Sequence, residues 1–533
     1  MTTTAVRRRE DARLRLQERL DAAKTQAYRN RLGQFATPRE LAAEIIGCVA
    51  SLLPPRSKIR FLEPGFGTGP FYSALLRSVP PSRVETAVGY EVDPYYAEPA
   101  KELWKGTGLE LCIRDFTGAE PPKSERQKFN FVVCNPPYVR HHHLSQAQKH
   151  DLQAALCRYA GIQLNGLSGL YTYFLVLSKA WMSRNGVGAW LIPSEFMDVN
   201  YGRRVKQFLL EDVTLHRVHR FDPNDVQFGD ALVSSAVLFL ENGSPPKDHE
   251  VQFSFGGTIT APKSSESIRA SDLRHVSKWT RLPMNGAVVR RKGGETLGDL
   301  FSIKRGVATG SNEFFMLAPE RIAEWSLPDE FLTPILPSPR HLETDEIFAG
   351  RRGDPKIRKR LFLLVCDLPE KEVRDKHPAL YRYIRHGIEA GVHERYLSRH
   401  RDPWYSQEKR PPAPFLCTYM GRATKTSDVP FRFILNHSNA TAANVYLMLY
   451  PSAPLTSILR DAPGVARAVW KVLSSLPAET LIGEGRVYGG GLHKLEPREL
   501  ANVPADPVLR ILHDAAGFTM DTQLQLFRRA KTG

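Results

Sequence analysis

The chain has 533 residues, 42% of them apolar, with a mean hydropathy of −0.33; this describes two or more packed domains and excludes a fibrous or disordered protein. Its 73 lysines and arginines against 57 acids leave a formal charge of +16, which favours a polyanionic partner, nucleic acid first and an anionic membrane surface second. Six scattered cysteines without a CxxC pair argue against a disulfide frame or a metal site, and no apolar run is long enough to span a bilayer.

The start, MTTTAVRRREDARLRLQERLDAAKTQAYRN, is charged and helix-like with no apolar signal core. Residues 1–29 therefore read as an N-terminal helical extension of a cytoplasmic protein. PRELAAEIIGCVASLL predicts a helix from Pro38, proline being favoured at the first helical position. IRFLE is a strand, FYSALLRSV a helix, and TAVGYE, LELCIRDF and FNFVVC are strands. YTYFLVLSKAWMS is a helix, and VGAWLIP and SAVLFLE are strands. Strands separated by helices predict an α/β fold, a doubly wound and mostly parallel Rossmann-like sheet over residues 30–245. At ENGSPPKDHE the composition shifts to Gly, Ser, Pro and Lys, so 246–290 reads as a linker. Residues 291–533, irregular and rich in Arg, His and aromatics, read as a second, mixed α/β domain.

A cofactor pocket is written into the first domain. FLEPGFGTGPF is a strand, a glycine turn and a helix start, in which Gly65, Gly67 and Gly69 let backbone approach a ligand. The turn alone could serve a phosphate, but it lacks both GxGxxG and GK[ST]. The next strand ends in Glu91, placed to accept from both ribose hydroxyls. Asp115-Phe116, after the third strand, offers an acceptor and a flat face suited to an adenine ring. Glu63 beside the glycine turn could hold the ammonium of an amino acid. An adenosine joined to an amino acid is S-adenosyl-L-methionine.

FNFVVC runs straight into Asn135-Pro136-Pro137-Tyr138, where two prolines stop the sheet and fix the backbone at its open carboxyl end. The lone pair of an aromatic exocyclic amine is delocalised into its ring and attacks poorly. The Asn135 side-chain oxygen and the Pro136 carbonyl, both accepting from that amine, would concentrate density on nitrogen and align it for in-line methyl displacement. Tyr138 would stack on the target base. The HHH run at 141–143 reads as a polar loop, because three consecutive side chains cannot easily converge on one ion.

As a set, GQFATP, FLEPGFGTG, GYEVDP, RDF, NPPY and SGLYTYFLVLSKAWMSRNGVGAWLIPSEFMDVN resemble the serial motifs of amino-methylating DNA methyltransferases, over roughly residues 30–245. With GQFATP ahead of the glycine loop, their order is similar to the γ class, of which TaqI-type modification methylases are the familiar members. The resemblance implies transfer to adenine N6 within a specific double-stranded DNA site, protecting it from a cognate restriction endonuclease that is a functional rather than a physical partner. It implies that Thr37 touches the cofactor's methionine part and that Phe228 packs on the flipped adenine. The family usually has proline after that aromatic, where Gly229 stands here. Asn rather than Ser at position 135 favours adenine over cytosine N4.

A base inside a duplex is unreachable, so this chemistry needs the nucleotide flipped out. RRGDPKIRKR and RYIRHGIEAGVHERYLSRHRDPWYSQEKR supply cations interleaved with aromatics for holding the duplex. IKRGVATGSNEFFML and GEGRVYGGGLHKLEPRELANVP resemble segments of target-recognition domains in the same enzyme group. NPPY also occurs in methyltransferases acting on RNA and on protein glutamine, and a methylase fused to a nuclease is a further alternative. No nuclease-like acid and lysine cluster stands out in the sequence.

Overall fold

The structure is a computed structural model, and its described residues are 3–222, 234–283, 295–423, 429–488 and 491–516. The chain forms two compact units, one of residues 1–288 with 488–490 and the other of 289–487 with 491–533.

The first unit is built on a nine-stranded sheet. Its strands are β1 (Ile59–Glu63), β2 (Val84–Glu91), β3 (Leu109–Ile113), β4 (Phe129–Cys134), β5 (Met182–Pro193), β6 (Thr214–Arg220), β7 (Ser235–Glu241), β8 (Glu250–Gly257) and β9 (Pro262–Arg269). They lie in the order β3-β2-β1-β4-β5-β7-β6-β8-β9. The first five are mutually parallel, whereas β7 runs antiparallel between β5 and β6. The chain leaves β1 toward β2 and β3, then returns to the other side of β1 with β4. That reversal opens a crevice at the carboxyl ends of β1 and β4, where doubly wound sheets bind ligands. The glycine turn follows one of these strands and NPPY the other.

Strand alternation builds a core on each face. Phe61, Phe131 and Val133 point to one side, and Leu62, Val132 and Cys134 to the other. The first side is covered by α3 (Arg39–Leu52) and α4 (Pro70–Ser78), and α3 buries Leu41, Ile45, Ile46 and Val49 at helical spacing. The second carries an almost wholly apolar helix, Leu170–Trp181, buried along most of its length.

One sequence expectation needs correction. The 246–290 segment is not a linker throughout, because β8 and β9 lie within it, extending the sheet beside β6. Val251 and Phe253 of β8 are buried, while β9 alternates half-buried and exposed residues, as a sheet-edge strand does. The helical extension is also part of the packed unit. Its helix α1 (Thr3–Ala22) rests on α4 and on the helix Pro94–Leu103. On α1, Glu10 and Arg13 are both buried and form a two-pronged ion pair, with both hydrogen bonds 2.8 Å long. Ser73 of α4 donates to Glu10, and Arg13 donates to Thr68 of the glycine turn at 3.3 Å.

In the second unit a five-stranded sheet has the order Phe301–Arg305, Tyr446–Pro451, Phe415–Thr418, Phe433–Asn436, Glu346–Ile347. Its core includes the helices Pro463–Ser474 and Asp506–Ala516. A four-stranded sheet, with Leu332–Leu336 and Leu361–Leu364 at its centre, has its own apolar cluster around Phe315, Tyr383 and Leu380. The result is mixed α/β, as expected.

Removing one partner of a buried ion pair strands the other charge without water. Glu10→Ala should therefore destabilise the first unit by about 3 kcal/mol in urea unfolding. A loss below about 1 kcal/mol, typical of an exposed pair, would show that α1 is not integral to the unit. Burial alone would raise the Glu10 carboxyl, but the Arg13 and Ser73 hydrogen bonds and the Arg13 charge hold it below its ordinary range. A depressed carboxyl pKa stabilises above the unfolded value, so this contribution should fade as pH falls through the acid range.

Candidate functional site at the carboxyl ends of strands 1 to 4

Four strand ends supply the pocket. Beyond β1, Gly65 lies so close to the NPPY backbone that an added Cβ would come within 3.2 Å of the Asn135 carbonyl oxygen. The turn is held from behind by α1 and by Trp104, whose indole N–H donates to the Thr68 carbonyl at 2.9 Å. Gln17 of α1 accepts from the Thr68 hydroxyl at 2.6 Å. Gly67 has a left-handed backbone, with φ of 54°.

Glu63 is fully buried. Its Oε2 accepts from the Tyr72 backbone N–H at 3.1 Å, in the first turn of α4, while Oε1 has no partner among the described residues. Burial pushes this carboxyl well above its ordinary range, against the Tyr72 and Phe71 backbone hydrogen bonds. A buried carboxylate oxygen without a donor is costly unless a ligand supplies one. An ammonium would satisfy it.

Glu91 ties the pocket together. Its Oε2 accepts from Gly67 N–H at 2.8 Å and its Oε1 from Asp93 N–H at 2.9 Å. Burial raises its pKa, opposed by those two backbone hydrogen bonds. Each carboxylate oxygen keeps a second lone pair, so ribose hydroxyls can still be accepted. At the end of β3, Asp115 Oδ1 accepts from both the N–H and the hydroxyl of Thr117 at 2.8 Å, and its side chain is exposed.

The Phe116 ring is not a free face for adenine. It is packed among Tyr90, Phe174 and Trp181 at centroid distances of 5.1 to 5.6 Å and belongs to the core. The dipeptide is where the sequence put it, but its ring turns inward. Val92, which the sequence reading passed over, offers apolar surface instead: directly after Glu91 it is 62% exposed. A valine directly after the strand-end acid was the available signal. With the acids and the glycine turn, these groups suit a nucleoside joined to an amino acid.

Asn135 is the most informative side chain. Its Nδ2 donates to the Phe35 carbonyl at 2.9 Å and to Thr37 Oγ1 at 3.0 Å. A backbone carbonyl can only accept, so this contact decides which end of the amide is NH2. The Oδ1 atom is consequently turned away, buried and without a partner among the described residues. Thr37, itself buried, thus acts on Asn135, beyond the cofactor contact that the resemblance implies.

Tyr138 is fixed at both ends. Its hydroxyl donates to the Leu191 carbonyl at 3.1 Å, its N–H donates to the Gly33 carbonyl at 3.1 Å, and the Phe35 ring lies 5.4 Å away. Only 7% of the residue is exposed, less than a free stacking platform would show. Gly33 has φ of 65°, and any Cβ there would collide with the Tyr138 backbone. The GQFATP segment therefore lies directly on NPPY. Gln34 and Lys24 both donate to Asp93 Oδ2, at 3.0 and 2.8 Å, which joins this segment to the Glu91 strand end.

Pro136 is buried directly after Asn135. Phe228 lies outside the described residues. The HHH run forms a short 3-10 turn with no buried residue. Two tyrosines missed in sequence, Tyr171 and Tyr201, bring their hydroxyls to 3.3 Å, and the Val139 carbonyl beyond NPPY accepts from Leu170 N–H, beside Tyr171, at 2.9 Å. In the apolar run around YTYFLVL nothing distinguishes Tyr171 from core.

Comparison with known proteins agrees with this architecture. Residues 97–227 match a family described as Eco57I restriction-modification methylase, and residues 282–529 match one described as the type II methyltransferase M.Eco57I C-terminal domain. The chain is similar to type II methyltransferase M.XamI of Xanthomonas campestris pv. amaranthicola, 28% identical over 493 residues, covering 91% of this chain and 86% of the relative. It is similar to type II methyltransferase M.AccI of Acinetobacter calcoaceticus, 25% identical over 491 residues, covering 89% and 85%. Among solved structures, that of a DrdV–DNA complex aligns with a TM-score of 0.50 at 12% identity, over 92% of this chain and 57% of that one, a likeness of fold. No helix among the described residues is long and apolar enough to cross a membrane.

If Thr37 acts through Asn135, Thr37→Val should lower turnover at saturating cofactor about tenfold, the loss of one hydrogen bond of about 1.4 kcal/mol felt at the reacting group. Weakened cofactor binding at undiminished turnover would return Thr37 to a purely cofactor-binding role.

Proposed function

We propose that this DNA methyltransferase of the type II restriction–modification kind transfers a methyl group from S-adenosyl-L-methionine to N6 of an adenine, flipped out of a specific duplex site. The observation that carries the reading is the buried, unpartnered Asn135 Oδ1, with its own NH2 already engaged. An acceptor fixed in this way cannot rotate to donate. It suits an NH2 group, which a flipped adenine presents, and the Pro136 carbonyl is the second acceptor beside it. When bound, the cofactor supplies an electrophilic methyl on a sulfonium sulfur.

Glu63 holds the cofactor's ammonium, Glu91 its ribose, and Asp115 with Val92 its adenine. Gly65 and Gly67 provide the close backbone approach. Asn135 and Pro136 would each accept a hydrogen bond from the amine, which restores lone-pair density to nitrogen and orients it for methyl transfer. No carboxylate base is required, because the methylated amine loses its proton to water afterwards. Tyr138 stacks on the flipped base, with Phe228 as the second aromatic contact. Residues 291–533 read the duplex. The cognate endonuclease is a functional partner only, and the setting is the cytoplasm.

Asn135→Ala should lower methyl transfer about 10²–10³-fold, the usual cost of losing one preorganised polar group, while leaving cofactor affinity intact. Wild-type product digests should contain N6-methyladenine in duplex DNA. Methyl transfer to RNA or to protein glutamine, with none to DNA, would replace the reading by its alternatives. Binding should also tighten when the partner of the target adenine is mismatched, since less unstacking energy is then spent. Equal affinity for matched and mismatched sites would argue against flipping as a major cost.

A further inference from the structure

We infer that Arg340, His341 and Lys359 of the second unit form a clamp for one backbone phosphate of duplex DNA, continued by the basic loop 351–360. The inference rests on the DNA-methylating reading and adds the place where the duplex backbone is held. Arg340 Nε donates to His341 Nε2 at 3.3 Å, and Lys359 Nζ approaches the same nitrogen at 3.4 Å. Arg340, next to His341, and Lys359, 18 residues beyond it, thus converge on one ring nitrogen. Neither has an acid of its own among the ion pairs of the described residues. The nearby acids are taken: Glu343 faces Arg358 at 3.9 Å, Asp354 faces Arg360 at 3.4 Å, and Asp345 is held by Arg432.

This convergence is built rather than accidental. Arg432 anchors the turn that carries Arg340 and His341, donating to the Pro339 carbonyl at 2.8 Å, the Leu342 carbonyl at 3.3 Å and Asp345 Oδ1. The loop bearing Lys359 is folded back on itself. Gly350 N–H donates to the Asp354 carbonyl at 2.7 Å, Lys356 N–H to the Phe348 carbonyl at 2.9 Å, and Asn439 N–H to the Gly353 carbonyl at 2.8 Å. Ordinary surface lysines spread away from one another, because like charges repel. Here ordered backbone on both sides brings both cations within reach of one nitrogen. An anionic oxygen placed between them would be a better acceptor for both cations than a neutral imidazole. Arg351, Arg352, Lys356 and Arg358 are exposed on the same loop and can meet the neighbouring phosphates. Duplex DNA suits this run of exposed cations better than a single small anion, because its phosphates come in a row.

Test the full-length chain by measuring duplex affinity against salt for wild type, for the Arg340→Ala/Lys359→Ala double variant, and for an Arg374→Ala/Lys376→Ala control. The control removes two exposed cations that are already paired, with Asp375 and Glu372. Losing one phosphate contact should reduce the log–log salt slope by about 0.9 in the clamp variant. The ratio of specific to non-specific affinity should stay constant, since phosphate contacts position without reading bases. The control should keep the wild-type slope. A clamp variant with the wild-type slope overturns the inference while leaving DNA methylation intact. An equal loss in the control overturns it too, reducing the effect to net charge. A wild type with no salt-dependent duplex binding would overturn both the clamp and the reading on which it rests.

Discussion

The site depends on one amide being unable to turn over. Asn135 gives its two N–H groups to the Phe35 carbonyl and the Thr37 hydroxyl, roughly a hundred residues earlier in the chain. Everything else at this end of the sheet serves that arrangement. The prolines after Asn135 prevent the strand from continuing, and Gly33 allows the GQFATP segment to lie against Tyr138 without a side chain between. Gly65 lets the glycine turn approach the same backbone closely. An acceptor oxygen is left without a partner among the described residues because the amide's NH2 is fixed on the other side.

The remainder of the first unit holds this crevice in shape. The strand order reverses between β1 and β4, so the two functional loops are neighbours although they are some seventy residues apart. Glu91 reaches across to Gly67, and Asp93 gathers Lys24 and Gln34. The N-terminal helix supports the glycine turn through Arg13, Gln17 and Thr68. A DNA methyltransferase gains from such cross-links. Small errors in the placement of reacting groups cost large factors in rate, and rigid support limits those errors.

Much of this was legible in the sequence, for identifiable reasons. IRFLE, FNFVVC and the glycine run state strand, turn and helix locally, and acids stand at successive strand ends. What failed was orientation. Nothing in Asp115-Phe116 says which way the ring turns, and packing against Trp181 and Phe174 decides it. PKSSESIR has no apolar alternation, because β9 is a sheet-edge strand with no fully buried residue, so the composition suggested a linker. Glu10 and Arg13 read as a solvated helix face. Their burial as a pair depends on Ser73 and Thr68, which no local pattern connects to them. The roles of Thr37 and Phe35 toward Asn135 were equally hidden, since they are contacts between distant segments.

The central claim is that Asn135 Oδ1 accepts from the target amine. Its most direct test is the structure of the full chain with a duplex carrying its target adenine and an unreactive cofactor analogue. The account predicts adenine N6 within hydrogen-bond distance of Asn135 Oδ1, about 2.7–3.2 Å, with Nδ2 still on the Phe35 carbonyl and Thr37. An amide found flipped, or an adenine N6 held elsewhere with Oδ1 still unpartnered, would contradict it.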